Sequence, residues 1–285
     1  MNKNSIGTAI RNSPSHVGEV GKRYRKKMES IVKIVKKQVS SGSKVISIGA
    51  GACILEAILS IEGYEVRAVD KPEHDWAFDY PLKEKKAYAN EFGVDLSIDD
   101  AGELDIGRNK YDCLLMIDVI EHIKVSPRKI LNSSIGSLKA GGLLVIQTPN
   151  FVHLKNRLEM MVGKSPQTNL KKYFFSISYG GHIREYTPNE LEILLSEHVN
   201  MEKVEVKTIN NFVHEYEGSL TRKIIKKMYM VITNVFPKLK DSIICTSRKP
   251  YDWEPKCVSV ENVSRYKVSK SRFNADEIYE RMSSI

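Results

Sequence analysis

Between Tyr24 and Val39 the apolar residues Met28, Ile31, Val32, Ile34, Val35 and Val39 recur at helical spacing with lysines between them. That pattern predicts an amphipathic helix, closed by Ser40, Ser41 and Gly42. Residues 1–20 are polar and read as a loose segment. A different rhythm starts at Lys44, where short apolar runs alternate with helical stretches. It predicts strand 44–49, helix 53–60, strand 65–70, helix 83–92, strands 94–99 and 111–118, helix 126–138 and strand 143–148. Such a βαβ series calls for a mostly parallel sheet with helices on both faces. In KAGGLLVIQTPN, Gly141 and Gly142 read as the stop of a helix, and Leu143 to Ile146 as a strand buried on both faces.

Past Asn150 the pattern loosens. Residues 163–187 read as a long, aromatic-rich loop, a length that in a compact domain usually serves function. A helix follows with Thr187 as N-cap, Pro188 at its first position and Glu190 completing a capping box. Strands 201–208 and 241–247 flank a basic segment, 219–236. There Leu220, Ile224, Met228, Val231, Ile232 and Val235 fall at helical spacing beside Arg222, Lys223, Lys226 and Lys227. Residues 250–285 read as a polar tail with a short helix at 275–283. The expected organisation is an N-terminal segment 1–43, an α/β domain 44–249 carrying an insert at about 151–187, and the tail 250–285.

Composition narrows the class. A chain of 285 residues with 41% hydrophobic content supports a sizeable core. No apolar run approaches the roughly 18 residues of a membrane span, and the first thirty residues lack a secretory apolar block, so a cytoplasmic protein is expected. Cys53, Cys113, Cys245 and Cys257 are scattered, without a CxxC pair, and read as reduced thiols. The net charge of +9, concentrated in Lys22–Lys37 and Arg222–Lys249, favours anionic partners at those segments.

The stretch VISIGAGACILEAIL carries the first candidate chemistry. Gly49 and Gly51 follow an apolar strand, where their backbone admits close approach of a ligand and the next helix offers free N–H groups. An ordinary strand-to-helix turn is the alternative. A dinucleotide fingerprint asks for a third glycine where Ile54 stands. Asp70, nineteen residues after Gly51, is placed to accept hydrogen bonds from both hydroxyls of a ribose. Turn and acid together indicate an adenosine-containing ligand.

These residues resemble the class I S-adenosylmethionine-dependent methyltransferases over roughly residues 22–249. VISIGAGACILEA resembles the first motif, VRAVD the ribose acid, and SIDDAGEL the adenine-contacting acid. The most specific likeness is YDCLLMIDVIEHI followed by LKAGGLLVIQTPN, which is similar to the small-molecule branch that includes quinone-biosynthesis enzymes. GGHIREYTPNEL resembles methyltransferases associated with bacterial surface glycans. The resemblance implies a Rossmann-like, mostly parallel seven-stranded sheet with a last antiparallel strand. It also implies S-adenosyl-L-methionine as cofactor, with S-adenosyl-L-homocysteine as product. The implied cofactor residues are Ile48, Gly49, Ala50, Gly51, Asp70, Lys71, Asp100, Ala101, Asp118 and Val119, with Asp99 competing with Asp100 for the adenine. Two departures stand out. Ser47 occupies the place of the acid that often begins the first motif, and Cys53 that of its third glycine. Cys53 is either a thiol with a pKa depressed by the helix N-terminus or a small residue tolerated at the turn.

Methyl transfer is an in-line displacement that needs alignment, exclusion of water and, for a hydroxyl acceptor, a proton acceptor. His122, beside Asp118 and Glu121, is either that base or a lining residue, and His182 is the second candidate. Asn150, His153, Arg184 and Tyr186 are candidate acceptor contacts, the arginine either suiting an anionic group or pairing with Glu185 or Glu190. Trp76 covers the adenosine or packs on the surface. No H-x-x-H or clustered ligand spacing is present, so no metal is expected. The expected acceptor is a small molecule or glycan, lipid-linked or anionic, methylated at oxygen. Segment 219–236 either meets an acidic membrane surface or packs on its own core or a second subunit. An RNA or protein methyltransferase is the rival reading, and a non-catalytic cofactor-binding regulator, suggested by Ser47 and Cys53, is another.

Overall fold

The computed structural model describes residues 3–13, 15–71, 82–99, 105–175, 181–211 and 220–256. The chain through Glu254 forms one unit, and Pro255–Ile285 a second. The helix predicted at 275–283 lies outside the described residues, as do Trp76, Asp100 and Ala101.

A seven-stranded sheet is built from β1 (Lys44–Ile48), β2 (Glu65–Asp70), β3 (Asp95–Ile98), β4 (Tyr111–Ile117), β5 (Leu138–Pro149), β6 (Glu202–Ile209) and β7 (Ser242–Arg248). Their order is β3-β2-β1-β4-β5-β7-β6. The first five pair in parallel, and β7 runs antiparallel to both β5 and β6. The helices are α1 (Lys3–Asn12), α2 (Ser15–Gln38), α3 (Ile54–Ile61), α4 (Leu82–Glu91), α5 (Arg128–Ser137), α6 (Leu154–Met161), α7 (Leu170–Phe174), α8 (Pro188–Ile193) and α9 (Leu220–Val235).

Alternate residues of each strand point to opposite faces, so the central strands supply two cores. Val45, Cys113, Leu115, Leu143 and Val145 pack with Ile31, Val32 and Val35 of α2 and with Ala57 and Ile58 of α3. On the other face Ile46, Ile48, Leu114, Met116, Leu144 and Ile146 pack with Leu131 and Ile135 of α5 and Leu191 of α8. Burial on both faces explains the unbroken apolar runs.

Three expectations need correction. The first segment is not loose: α1 buries Ile6, Ala9 and Ile10 in the α2–α3 core, and Tyr88 Oη donates to the Ala9 carbonyl at 2.8 Å. Those three apolar residues already sit at i, i+3 and i+4, a short pattern hidden by polar neighbours. Helix α5 ends at Ser137, before the glycine pair, and β5 starts at Leu138 opposite Tyr111, with a register shift before Cys113. Gly141, at φ +74°, takes up that irregularity inside the strand instead of ending the helix. The expected loop 163–187 holds α7, capped by Asn169, whose side chain accepts from the Lys171 N–H at 3.0 Å. The helix after Thr187 continues beyond α8 as one wider turn, Leu194–His198. Its capping box forms as the sequence predicts: Glu190 N–H donates to Thr187 Oγ1 at 3.2 Å, and Thr187 N–H to Glu190 Oε2 at 2.9 Å. Among the described residues, no helix is long and apolar enough to cross a membrane.

Candidate active site at the carboxyl edge of the sheet

Strand order reverses between β1 and β4, where an open α/β sheet leaves a crevice at its carboxyl edge. The chain leaves β1 through Gly49 and Gly51 at φ +73° and +49°, a left-handed backbone that a side chain resists. Gly49 N–H donates to the Val69 carbonyl at 2.8 Å. A Cβ on Gly49 would stand 2.4 Å from Val119 Cγ2, so this glycine lets the β1 turn lie directly against the β4 turn. A Cβ on Gly51 would meet nothing within 4 Å, so that glycine borders open space where a ligand can approach the backbone. Ile48 is buried beneath this turn, Ala50 is half-buried at its tip, and Lys71 is exposed beyond β2.

Two acids line the same edge. Asp70 ends β2; its Oδ1 accepts the Lys71 N–H at 3.0 Å, and its Oδ2 is paired with Lys85 of α4. Asp118 leaves β4 at φ +53° and is paired with Lys27 of α2, which also lies 4.2 Å from the Tyr24 ring centroid. Both lysines are buried. Lysines in amphipathic helices ordinarily read as solvated, which is why sequence reasoning missed these two as charge partners of the site.

Ser47, where the resemblance leads one to look for an acid, donates from Oγ to Glu56 Oε1 of α3 at 2.6 Å. Glu56 Oε2 is buried with no hydrogen-bond partner. Burial pushes the Glu56 carboxyl up to about 7, against the bond from Ser47 that favours its charged form. A carboxyl thus sits beneath the turn, supplied by the helix from within the same stretch of sequence. Burial acts on Cys53 as well and, with the charge of Glu56, drives its thiol far above the usual range. Burial thus favours the other reading of Cys53, a small side chain packed at the turn: it stands at the helix start with φ 57° and is fully buried.

On the β4–β5 side, the tight turn Ile120–His122 carries Glu121, which is 0% exposed. Thr148 Oγ1 of β5 donates to Glu121 Oε2 at 2.9 Å, while Oε1 is buried and unpartnered. Burial, reinforced by Asp118, pushes this carboxyl well up. The Glu121 carbonyl accepts N–H bonds from Ile183 at 2.7 Å and Arg184 at 3.2 Å, which pins the distant His182 segment onto the turn. The His122 and His182 rings meet edge-on with centroids 5.0 Å apart. His182 Nδ1 lies 2.5 Å from Glu185 Oε1. Burial pushes the His182 imidazole down, but Glu185, Glu121 and Asp118 more than offset this and hold it above its ordinary value. Glu121, Thr148 and Glu185 were not singled out as site residues by sequence; only Glu121 had a signal, its place in D-V-x-E-H-I.

The other acceptor candidates are dispersed. Asn150 is fully buried, and its amide donates to the Lys238 and Lys240 carbonyls at 3.0 and 2.7 Å. Both amide hydrogens are therefore spent tying β5 to the segment before β7, and the expected acceptor contact gives way to that structural role. His153 is half-buried at the start of α6, and burial holds its imidazole below the ordinary value. Arg184 is exposed, pairs with Glu190 at 2.8 Å, and lies 5.5 Å from the Tyr186 ring centroid. Tyr186 is buried in the core and bridges Asn150 through its backbone.

Fold and site together define a class of protein: a mostly parallel α/β sheet with a glycine turn, an acid at the end of β2 and a second acidic turn gathered at its switch point. Residues 20–206 match the family described as "Methyltransferase domain", and the chain belongs to that family, the class I S-adenosylmethionine-dependent methyltransferases. Among curated proteins it is similar to a ubiquinone biosynthesis O-methyltransferase of Rickettsia prowazekii, 27% identical over 127 residues, 44% of this chain and 48% of that one. Among solved structures it is similar to the PH0226 protein of Pyrococcus horikoshii, at 16% identity and a TM-score of 0.52, covering 79% of this chain and 91% of that one. A Haemonchus contortus phosphoethanolamine N-methyltransferase 2 solved with S-adenosyl-L-methionine is 16% identical, with a TM-score of 0.48, covering 78% and 52%. The chain spans about half the length of the Rickettsia and Haemonchus proteins.

Proposed function

We propose that this methyltransferase transfers the methyl group of S-adenosyl-L-methionine to a hydroxyl oxygen of a small-molecule or glycan acceptor. The observation that carries this reading is the convergence at one sheet edge of an open glycine backbone, a ribose-type acid and a buried acid–histidine cluster. The backbone at Gly49 to Gly51 receives the methionine portion, Asp70 the ribose, Asp100 and Ala101 the adenine, and Val119 closes the β4 side. Glu56 places, below the turn, the carboxyl that Ser47 lacks, and a bound ligand carrying an ammonium and a sulfonium favours its ionised form against the burial that raises it. The acceptor oxygen attacks the methyl carbon as the carbon–sulfur bond breaks, S-adenosyl-L-homocysteine leaves, and the hydroxyl proton is given up at the Glu121–His122–His182 cluster. Alignment of the two reactants is the main contribution the protein makes to such a displacement.

A lipid-linked or membrane-borne acceptor is favoured by a second observation. Leu220, Ile224, Met228, Val231 and Val235 form one stripe along α9, and each is more than half exposed. Arg222, Lys223 and Lys227 are exposed beside it. Leu170, Phe174 and Phe175 of the insert are exposed as well. A basic helix with an unburied apolar stripe has the composition of an interfacial anchor. The test is incubation with methyl-labelled S-adenosyl-L-methionine and fractionated cell extract, beside calorimetry with S-adenosyl-L-homocysteine. Label in lipid, glycan or small-molecule fractions is expected. Label confined to RNA or protein overturns the acceptor class, and failure to bind the homocysteine product overturns the enzymatic reading.

A further inference from the structure

One carboxylate and two imidazoles, from Glu121, His122 and His182, each bring a ligand atom to within 4.8 Å of the others. Spacing along the chain could not reveal this set, because His182 arrives sixty positions after His122, carried in by the two N–H bonds from residues 183 and 184 to the Glu121 carbonyl. Three features go beyond proximity. The Glu121 side chain is fully buried, which is costly for a carboxylate with an unpartnered oxygen. Thr148 holds Oε2, so the carboxylate has one fixed orientation and Oε1 is the atom without a protein partner. Glu185 at His182 Nδ1 favours the tautomer with its proton on Nδ1 and its lone pair on Nε2, the outer contact that metal-binding histidines use.

We infer that Glu121, His122 and His182 form a binding site for one divalent transition-metal ion, which coordinates the acceptor hydroxyl beside the methyl donor. The ligand set decides the class of ion: two imidazoles with one carboxylate suit Zn2+, Mn2+ or Fe2+, whereas Mg2+ favours all-oxygen surroundings. Three protein ligands leave positions open for the acceptor. This rests on the methyltransferase reading and replaces the expectation that no metal takes part; it also makes the two histidines ligands, not bases. The cation's role is to lower the pKa of the bound hydroxyl, so that its proton passes to solvent before the step. The oxygen then forms its bond to the methyl carbon, the carbon–sulfur bond breaks, its electron pair stays on sulfur as the thioether, and the cation is unchanged.

The test uses the full chain, stripped with a chelator and titrated calorimetrically with Zn2+ and separately with Mn2+, in the absence of cofactor. One saturable equivalent is expected, weakened at least tenfold in Glu121→Gln and in His182→Asn. The first substitution preserves shape and the Thr148 bond; the second lies in a surface segment, so both are expected to fold, with circular dichroism as the check. S-Adenosyl-L-homocysteine affinity is expected to stay within twofold in both variants. Turnover of the chelator-treated enzyme should fall and return with metal. Absence of saturable binding, or binding equal in wild type and variants, overturns the site. Product binding without metal binding removes the cation and leaves the methyltransferase; metal binding without product binding does the reverse.

Discussion

Glu56→Gln tests how a buried acid beneath the cofactor turn is held. The wild-type carboxyl is pushed from 4.5 to about 7 by burial, with the bond from Ser47 at 2.6 Å and a backbone N–H favouring its ionised form. At roughly 1.4 kcal/mol for each tenfold change in the ionisation equilibrium, that displacement corresponds to about 3 kcal/mol on going from pH 5 to pH 8. The sign follows from which state keeps the proton. Between pH 4.5 and 7 the folded chain retains a proton that the unfolded chain has lost, so stability falls as pH rises through that window and stays low above it. Glutamine keeps the acceptor for Ser47 but has no charge to bury. In urea unfolding without cofactor, the stability of Glu56→Gln relative to wild type should therefore improve on going from pH 5 to pH 8, by up to about 3 kcal/mol. The comparison between the two proteins cancels the titrating groups that do not interact with Glu56. A difference independent of pH would refute the placement of an ionising Glu56 in a dry environment.

Asp70→Ala should weaken S-adenosyl-L-homocysteine binding by about 1–3 kcal/mol in calorimetry, the scale of a lost charged hydrogen bond; unchanged affinity removes Asp70 from the ribose site. Gly51→Ala puts a methyl into the open space beside the turn at φ +49°, so the product's affinity should fall at least tenfold while thermal stability falls by only about 1 kcal/mol of strain. Equal loss of both would mean that Gly51 serves the fold alone. Met228→Glu with Val231→Glu should abolish sedimentation with anionic phospholipid vesicles and leave the melting temperature unchanged, since both side chains are exposed. A lowered melting temperature would show that the stripe is covered by protein.

Much of the frame was legible because its signals are local. Strands buried on both faces must be apolar throughout, so Val45 to Ile48 and Leu143 to Ile146 announce themselves, and the Thr187–Glu190 capping box is written in adjacent residues. Gly49 and Gly51 mark a backbone that only glycine adopts without strain, so the turn at the sheet edge was visible before any coordinates. Asp70 followed from its position at a strand end, and Asp118 from the family resemblance of the stretch that carries it.

Properties that depend on what surrounds a side chain were not legible. Cys53 stands at a helix start, which left an acidic thiol and a small tolerated residue both open, and the core around it pushes the thiol up and so favours the second. Asn150 looks free at the end of a strand until the Lys238 and Lys240 carbonyls claim its amide. Lys27 and Lys85 look like solvent residues until the fold buries them against Asp118 and Asp70. By itself the sequence determined the sheet, the glycine turn and the acids at its edge, because periodicity and backbone sterics act between near neighbours. The tertiary structure alone decided that Glu121, His122 and His182 share one pocket of charge and that Glu56 lies under Ser47, because desolvation and coordination depend on distances in space that chain separation does not encode.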